Sequence, residues 1–490
     1  MAIDAGEKSP LLSMVMAATA TAGEVSGRRR CGVVTQVGIC VAAMWVLMTP
    51  MMGQEIDYQV YTEAPRLLLN QRRLKLVKRE RERESMRWQQ FDALMAGKAR
   101  MTEPGFTLAL WGTVTGQGGP CKAAAEWALK QANPAAVAEL RQMALVYDWC
   151  QVAAGEAQSS MLARKLVGTL MDRTEQMGAV RSRVMAALAV ADVEPKVSQA
   201  YLKWAVEGWW KAKMVPRLKT EAGVFPKRED LYAMTEFLHV VRDNLRADLR
   251  EGAGQWFEDL APMQMLSYYP RPWPAPENEY RVPAYLGKSD PDLREAAYSR
   301  AAELALVSFD VNAVPHQFLQ GWLMQDRFLM RSEFGVAYEF LWANPYQPGL
   351  SFSYMPDLFH GHGQLLVRGG WDEDATWFGY WSGQAQAFTN GARVAVKMDG
   401  RPAPVSLGPV KVFFASSGLR LQSGWMPPPE DGAKPVDEVG FIVGLAPDSR
   451  YDIEVDDEEM YEAKTDAGGI LELKFAPGRK AGVRLHRSGK

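Results

Sequence analysis

The chain has 490 residues, more than a single hydrophobic core usually supports, so two or three domains are expected. Hydrophobic residues make up 47% of the sequence and charged residues 23%, an ordinary globular composition that excludes a largely disordered chain. The formal net charge is −2 and no basic run is interleaved with aromatic residues, so nothing indicates nucleic-acid binding.

A basic and then apolar segment opens the chain. Three arginines at positions 28–30 precede the uncharged residues 31–53. A basic region, an apolar stretch and a small residue near its end are typical of a secretory signal peptide. The apolar stretch is also close to the ~20 residues that cross a bilayer, so an uncleaved inner-membrane anchor at residues 31–52 is the alternative. We expect residues 1–54 to direct export, which makes the protein periplasmic or secreted.

Two cysteines remain when this segment is set aside. Cys31 and Cys40 fall inside it, whereas Cys121 and Cys150 belong to the rest of the chain. In an oxidising compartment such a pair forms a disulfide if the two Cα atoms lie close enough. We consider a Cys121–Cys150 disulfide, with two buried free thiols as the alternative.

Residues 60–335 carry apolar side chains mostly at helical spacing. In the first segment, residues 66–95, charged positions separate Leu69, Leu76 and Phe91. Similar segments follow, divided by breaks that contain proline or glycine. Antiparallel helix pairs of this kind bury their apolar stripes against each other. The pattern therefore predicts an α/α toroid, or helical solenoid.

A proline-rich segment interrupts the helical pattern at residues 268–276, because proline lacks the backbone donor and clashes with the preceding turn. It contains the aromatic residues Tyr268, Tyr269 and Trp273. Loops of this kind often border functional sites, and flat rings stack on sugar faces. We consider these three rings as substrate-binding, with packing in the core as the alternative.

Short runs with strand character replace the helical pattern after residue 338, and clusters of Gly or Asp separate them. We expect an antiparallel β-sandwich at residues 336–425 and a further β-rich segment at residues 436–490. Within that segment, Gly444 to Tyr451 resembles the tyrosine corner of fibronectin type III-like sandwiches, where the hydroxyl bonds back to the loop. The segment is either a small separate domain or the last hairpin of the sandwich.

Three stretches carry a family resemblance: Ala-Pro-Arg-Leu-Leu-Leu at residues 64–69, Leu-Val-Tyr-Asp-Trp at 145–149 and Val-Arg-Gly-Gly-Trp-Asp-Glu-Asp-Ala-Thr-Trp at 367–377. The first two resemble parts of the toroid domain of the heparinase II/III polysaccharide lyase superfamily. The third is similar to the entry into its β-sandwich. The resemblance covers roughly residues 65–391. It implies a toroid followed by an antiparallel sandwich, and cleavage of uronic-acid polysaccharide by β-elimination.

This reaction needs a base for the proton on C5, an acid for the oxygen on C4 and a donor for the carboxylate. The family supplies them from an Asn-His pair on a toroid helix, a Tyr, and a sandwich motif whose histidines often contribute to a zinc site. The corresponding residues here, 181–185 and 382–391, contain no histidine. The chain therefore lacks the catalytic histidine motifs of the family. Zinc is implied by the resemblance alone, with no identifiable ligands.

One predicted helix carries several ionisable side chains on a single face. Positions i, i+4, i+7 and i+11 of a helix share a face, and here they hold Tyr232, Glu236, His239 and Asp243. We consider Tyr232, His239 and Glu236 as catalytic residues. Arg242 and Arg181 are the candidates to bind a uronate carboxylate. The alternative is a buried helix whose polar groups satisfy backbone groups and ion pairs.

His360 and His362 are weak candidates for metal ligands. Two residues apart on a strand, they would point to the same face, as metal ligands can. No third ligand is identifiable nearby in the sequence. The alternative is a turn before a strand.

The leading interpretation is an exported, carbohydrate-active protein whose partner is an acidic polysaccharide that it cleaves by β-elimination. Because both histidine motifs are missing, a non-catalytic glycan-binding or scaffold protein is one alternative. A glycoside hydrolase on an α/α toroid is the other. It needs two carboxylates about 5–10 Å apart, and Glu236 with Asp230 is the pair nominated for it.

Overall fold

The computed structural model describes residues 56–220, 223–224, 227–271, 282–285, 292–325, 332–398, 403–415, 419–427 and 430–488. The expected export segment, residues 1–54, and Trp273 lie outside these residues. Within the described part of the chain, no helix combines the length and the apolar character that a bilayer crossing requires. Ile56–Lys490 forms one structural unit.

Helices occupy most of the chain between residues 71 and 342, and several begin at recognisable caps. The side chains of Asn70 and Ser85 accept hydrogen bonds from backbone N–H groups of the first turns of the first two helices. A π-helical stretch, Trp204–Met214, joins α8 to α9. The α-helices are α1 Gln71–Glu82, α2 Met86–Ala96, α3 Pro104–Thr115, α4 Gly118–Lys130, α5 Val137–Ala154, α6 Glu156–Gly168, α7 Met177–Ala189, α8 Pro195–Lys203, α9 Val215–Thr220, α10 Arg228–Leu245, α11 Gly254–Leu266, α12 Leu293–Phe309, α13 Val314–Gln325 and α14 Val336–Trp342.

The helices close into a ring. Each helix of the inner series contacts the next one, in the order α3, α5, α7, α10, α12 and α14. The series closes because α14 contacts α2, which contacts α3. The inner helix α5 is buried on all sides from Leu140 to Cys150, whereas the outer helix α6 buries only one face. The α/α toroid predicted from the helical spacing is therefore confirmed. Cys121 of α4 and Cys150 of α5 are joined by a disulfide, with a Cα–Cα distance of 5.2 Å.

Strands form most of the chain after the helical region. The last α-helix ends at Trp342 and the first strand begins at Leu358, so the α-helices run slightly past the predicted end at residue 335. The strands are β1 Leu358–Gly361, β2 Gln364–Arg368, β3 Trp377–Trp381, β4 Gln384–Thr389, β5 Ala392–Val396, β6 Val405–Leu407, β7 Val410–Phe414, β8 Arg420–Gln422, β9 Glu438–Val443, β10 Arg450–Val455, β11 Glu459–Lys464, β12 Leu471–Phe475 and β13 Gly482–Arg487.

The strands form three sheets that stack on the helical ring. Sheet A has the order β1-β2-β3-β4-β5, sheet B β12-β9-β7-β6, and sheet C β11-β10-β13-β8. One face of sheet A packs on the helices through Leu366, Trp377 and Phe388. Its other face packs on sheet B, and the far face of sheet B packs on sheet C. Sheet B is thus covered on both faces, which explains the unbroken apolar run of residues 441–443.

The predicted antiparallel sandwich is confirmed, with one parallel pair, β7 and β9. Because β7 precedes and β9 follows the expected boundary at residues 425–436, strands from both sides of it share sheet B. The tyrosine corner is present: the hydroxyl of Tyr451 accepts a hydrogen bond of 3.1 Å from the backbone N–H of Ala446.

His360 on β1 connects sheet A to sheet B. Its Nδ1 lies 3.1 Å from Oε2 of Glu472 on β12, and its Nε2 lies 3.2 Å from Oδ2 of Asp466. Burial disfavours the charged ring, but the hydrogen bonds to the two carboxylates outweigh it and raise the pKa of His360 above its ordinary value. Burial likewise opposes the charged form of Glu472, but His360 and Lys474 outweigh it and lower the pKa of that carboxyl.

A raised pKa in the folded state gives stability that is fully present below the unfolded pKa of about 6.5 and is lost as pH rises through the folded value. We therefore expect His360→Gln to lower the free energy of unfolding by about 2 kcal/mol at pH 6 and by much less at pH 9. Urea denaturation at the two pH values measures this. The same change at the exposed His486 should stay within about 0.5 kcal/mol at both. Equal losses at pH 6 and pH 9 would contradict a charged bridge at His360.

Candidate functional site

A pocket of 440 Å³ lies between the helical ring and sheet A. Its walls come from the starts of α10 and α12, from α11, from residues 282–285 and from two hairpin turns of sheet A. We call it the interlayer pocket. Its lining includes the polar and aromatic residues Lys227, Arg228, Trp256, Gln264, Tyr285, His362, Gln364 and Trp381.

Two tight turns bring strand residues to this pocket. β1 and β2 are joined by His362 and Gly363, and β3 and β4 by Ser382 and Gly383. All four residues have positive φ, from 51° to 72°, which is the conformation of type I′ hairpins. In an up-and-down sheet, the first and third turns lie at the same end. His362 and Ser382 therefore reach the same pocket.

His362 is paired with a carboxylate from the helical ring. Its Nε2 lies 2.9 Å from Oδ2 of Asp259 on α11, and its ring centroid is 6.4 Å from that of Trp256. When Nε2–H donates to Asp259, the ring is held in one orientation and Nδ1 is the nitrogen left to exchange a proton with a ligand. This pair is suited to general acid–base chemistry.

Arg228, in the first turn of α10, is the best-oriented cation of the pocket. Its guanidinium donates to Oε1 of Gln264 at 2.7 Å and to Oγ of Ser267 at 3.4 Å. Both acceptors are neutral groups that orient the guanidinium. A guanidinium held in this way matches the planar geometry of a carboxylate.

Aromatic side chains complete the pocket. Trp256, Tyr285 and Trp381 all line it, and the guanidinium of Arg393 lies 4.4 Å from the ring centre of Tyr285. Flat apolar surfaces beside a few oriented polar groups are typical of small-molecule sites. The combination of rings, a cation and an imidazole suits an acidic sugar.

Tyr232 and Glu236, expected to be catalytic, lie instead in the closed centre of the ring. Glu236 is fully buried, and Arg141 binds it at 2.6 and 2.9 Å while Arg181 binds its other side. The Tyr232 hydroxyl accepts a hydrogen bond of 2.9 Å from Nε1 of Trp342. Burial, and then the charge of Glu236, raise the pKa of Tyr232 well above its ordinary value, the opposite of what a base requires. Arg181 is likewise committed to Glu236 and does not line the interlayer pocket.

His239 and Arg242 lie toward the other end of α10. His239 Nε2 is 2.9 Å from the carbonyl oxygen of Ala305, and Arg242 Nη2 is 3.2 Å from Nδ1. Burial, followed by the charge of Arg242, holds the pKa of His239 well below its ordinary value, so the ring is neutral at pH 7. Both residues line a second pocket rather than a cleft between ring and sheet.

Tyr268 and Tyr269 belong to the core, so their assignment as substrate-binding residues is wrong and the alternative, packing in the core, describes them. The hydroxyl of Tyr268 donates to Glu303 at 2.7 Å, and that of Tyr269 donates to Gln386 at 2.8 Å. Both rings are buried against other aromatic residues. Ser267, directly before the proline-rich segment, and Tyr285, nine residues after it, do line the pocket.

His360 and His362 do not share a face. His360 bonds to Asp466 and Glu472, whereas His362, displaced into the turn, bonds to Asp259. In the part of the chain that the structure describes, no group of three or more His, Cys, Asp or Glu side chains is arranged to hold a metal ion.

The residues that sequence reasoning missed are those that converge on the pocket from separate elements: Arg228, Trp256, Gln264, Tyr285 and Trp381. Two features of the sequence point to this pocket. They are the pairs His362-Gly363 and Ser382-Gly383, each of which lies between two strand-like runs and is typical of a two-residue hairpin turn.

No protein-family model matches the chain, and no curated protein matches it. Among solved structures, the chain is similar to a heparan sulfate lyase from Pedobacter heparinus. The alignment has 10% sequence identity and a TM-score of 0.34, and it covers 78% of this chain and 75% of that one. An alignment at this level assigns no role to any residue of this chain, so the roles of the pocket residues have to be argued from their own chemistry.

We expect Glu236→Gln to lower the free energy of unfolding by about 3–5 kcal/mol, because it leaves Arg141 and Arg181 buried without their shared carboxylate. Urea denaturation measures the change. The exposed Glu229, on the same helix, provides the matched control, and Glu229→Gln should stay within about 0.5 kcal/mol of the unmodified protein. A loss below about 1 kcal/mol for Glu236→Gln would contradict a structural role for the cluster.

Proposed function

We propose that the protein is an exported, carbohydrate-active lyase that binds an acidic polysaccharide in the interlayer pocket and cleaves it by β-elimination. The observation that carries the proposal is the presence of an oriented guanidinium, Arg228, and an imidazole–carboxylate pair, His362 and Asp259, in one aromatic-lined pocket. These are the chemical groups that the elimination of a uronic acid needs.

Arg228 binds the uronate carboxylate in this proposal. When the C5 proton leaves, negative charge spreads from C5 into that carboxylate, and a nearby fixed cation stabilises it. Gln264 and Ser267 hold the guanidinium in place beforehand, so little reorganisation is needed during the reaction.

His362 and Tyr285 are the proposed proton carriers. Nδ1 of His362 takes the proton from C5, and Asp259 stabilises the imidazolium that forms. The electrons of the C5–H bond form the C4–C5 double bond, the C4–O bond breaks, and the phenol of Tyr285 donates a proton to the leaving oxygen. His362 thus supplies, from the β1–β2 turn, the imidazole that the resemblance led us to expect near the β3–β4 turn.

The carboxylate pair nominated for a glycoside hydrolase, Glu236 with Asp230, does not form a site. Glu236 is enclosed by two arginines and cannot face Asp230 across a site. In the pocket, Asp292 accepts a hydrogen bond from the N–H of Arg294, and Glu295 accepts one from the N–H of Arg228. Both carboxylates therefore cap helices.

A panel of uronate polysaccharides tests the proposal, with the ultraviolet absorbance of the new C4–C5 double bond as the readout. We expect His362→Gln and Tyr285→Phe to reduce kcat by about 100-fold or more while binding changes little. Arg228→Gln should weaken binding as well as turnover. His486→Gln, an exposed replacement of the same type, is the control and should match the unmodified protein.

One outcome would contradict the lyase, and a second would contradict only its proton carriers. If no polymer gives an absorbance change but calorimetry detects binding that Arg228→Gln removes, the protein is a non-catalytic glycan-binding relative. If an active protein keeps its rate in both His362→Gln and Tyr285→Phe, the assignment of the proton carriers is wrong.

Export is part of the same proposal, and residues 1–54 carry its signal. We expect N-terminal sequencing of protein from the periplasm or culture medium to find a chain that starts just after residues 51–54. Full-length protein in the membrane fraction would instead support the anchor at residues 31–52. Full-length protein in the cytosol would contradict both.

A further inference from the structure

A second pocket, of 410 Å³, is lined by residues near the opposite end of α10 from the interlayer pocket. Arg228 of α10 lines the interlayer pocket, and Arg242 of the same helix lines the second one. At a rise of about 1.5 Å per residue, the backbone positions of these two arginines are about 21 Å apart along the helix. The two pockets are therefore distinct sites.

The second pocket is strongly cationic. Five basic side chains line it, and Asp243 is the one carboxylate among its lining residues that the structure describes. His239 adds no charge, since its ring is neutral at pH 7. We call this site the basic pocket, and its five cations are Arg72, Arg73, Lys75 and Arg79 of α1 and Arg242 of α10.

The single carboxylate is already engaged. Oδ1 of Asp243 accepts a hydrogen bond of 3.1 Å from Nε of Arg242, and Oδ2 accepts one of 2.6 Å from the side chain of Asn70. The negative charge of Asp243 therefore offsets the positive charge of Arg242. The four cations of α1 leave a net positive charge at the pocket.

Arg73 lies closest to the centre of this charge balance, between Asp243 and the cations Arg72 and Arg242. Its guanidinium donates to the carbonyl oxygen of Trp342 at 3.0 Å. Burial lowers the pKa of Arg73 to about 10; Asp243 opposes the shift, while Arg72 and Arg242 add to it. The N-terminus of α1, capped by Asn70, lies at the same pocket and adds its positive end. A bound anion would relieve this repulsion.

We propose that the basic pocket binds a sulfate or phosphate group, either as an ester on a saccharide or as the free anion. A multiply charged oxyanion matches several converging cations better than a single carboxylate does. The volume of 410 Å³ is in the range of small-molecule sites and accommodates a ligand of about one sugar unit. The proposal is independent of cleavage at the interlayer pocket.

Calorimetry on the whole protein tests this proposal with four probes: inorganic sulfate, inorganic phosphate, a sulfated disaccharide that contains no uronic acid, and the same disaccharide without sulfate. We expect the charged probes to bind and the unsulfated disaccharide not to bind. Tighter binding of the sulfated disaccharide than of both inorganic anions identifies an ester on a saccharide. Binding of the inorganic anions alone identifies a free anion.

The double variant Arg72→Gln/Lys75→Gln should weaken the binding of these anions at least tenfold. Both side chains are exposed at the edge of the pocket, so the fold should be retained. The control Lys78→Gln/Lys122→Gln removes the same formal charge from exposed positions that do not line the pocket, and should change affinity less than twofold.

Three results would overturn the proposal. They are the absence of binding by every charged probe at millimolar concentration, equal binding of the sulfated and unsulfated disaccharides, or an equal loss of affinity in the control variant. Arg228→Gln should leave anion affinity at the basic pocket unchanged. Failure of the lyase proposal, seen in the absorbance assay, is thus separate from failure of this one.

Discussion

The carboxylate of Glu236 is the interaction on which the helical ring depends. It lies on α10 and is bound by Arg141 of α5 and Arg181 of α7, so one buried anion joins three inner helices. Burial opposes its charged form, but the two arginines outweigh that effect and lower its pKa. Tyr338 of α14 extends the network by donating to Glu103, which also contacts Arg141. Because unpaired buried charges are costly, an arrangement that separates these helices would be penalised.

The arrangement of these helices fixes both candidate sites, because α10 runs from one to the other. Arg228 in its first turn faces the interlayer pocket, and Arg242 near its end faces the basic pocket. Between these two arginines the helix is buried, and Tyr232 and Glu236 are almost inaccessible to solvent. A substitution in the centre should therefore disturb both pockets through the position of the helix, whereas a substitution at either end should act locally.

The order of the fold, helices followed by strands, could be predicted from the sequence because helices and strands differ in the spacing of their apolar residues. Helical spacing before residue 335 and short strand-like runs after it require no knowledge of tertiary contacts. The same periodicity correctly placed Tyr232, Glu236 and His239 on one helical face, but it could not say what that face meets. Here it meets Arg141 and Arg181, which come from segments far away in sequence. The interlayer pocket was missed for the same reason, since two hairpin turns, three helices and residues 282–285 form it.

The two pockets differ in how their cations are held, and this difference argues for different ligands. Arg228 is oriented by neutral acceptors at short range, which suits a single planar carboxylate whose position matters for chemistry. The cations of α1 include exposed side chains such as Arg72 and Lys75, which suit attraction of a charged group rather than exact placement of it. The two ends of α10 are about 21 Å apart, and because salt does not screen charges through the buried centre of the ring, distance alone limits their interaction, to less than about 1 kcal/mol for two unit charges. The helix α10, held by its buried carboxylate, is one physical connection between the two pockets.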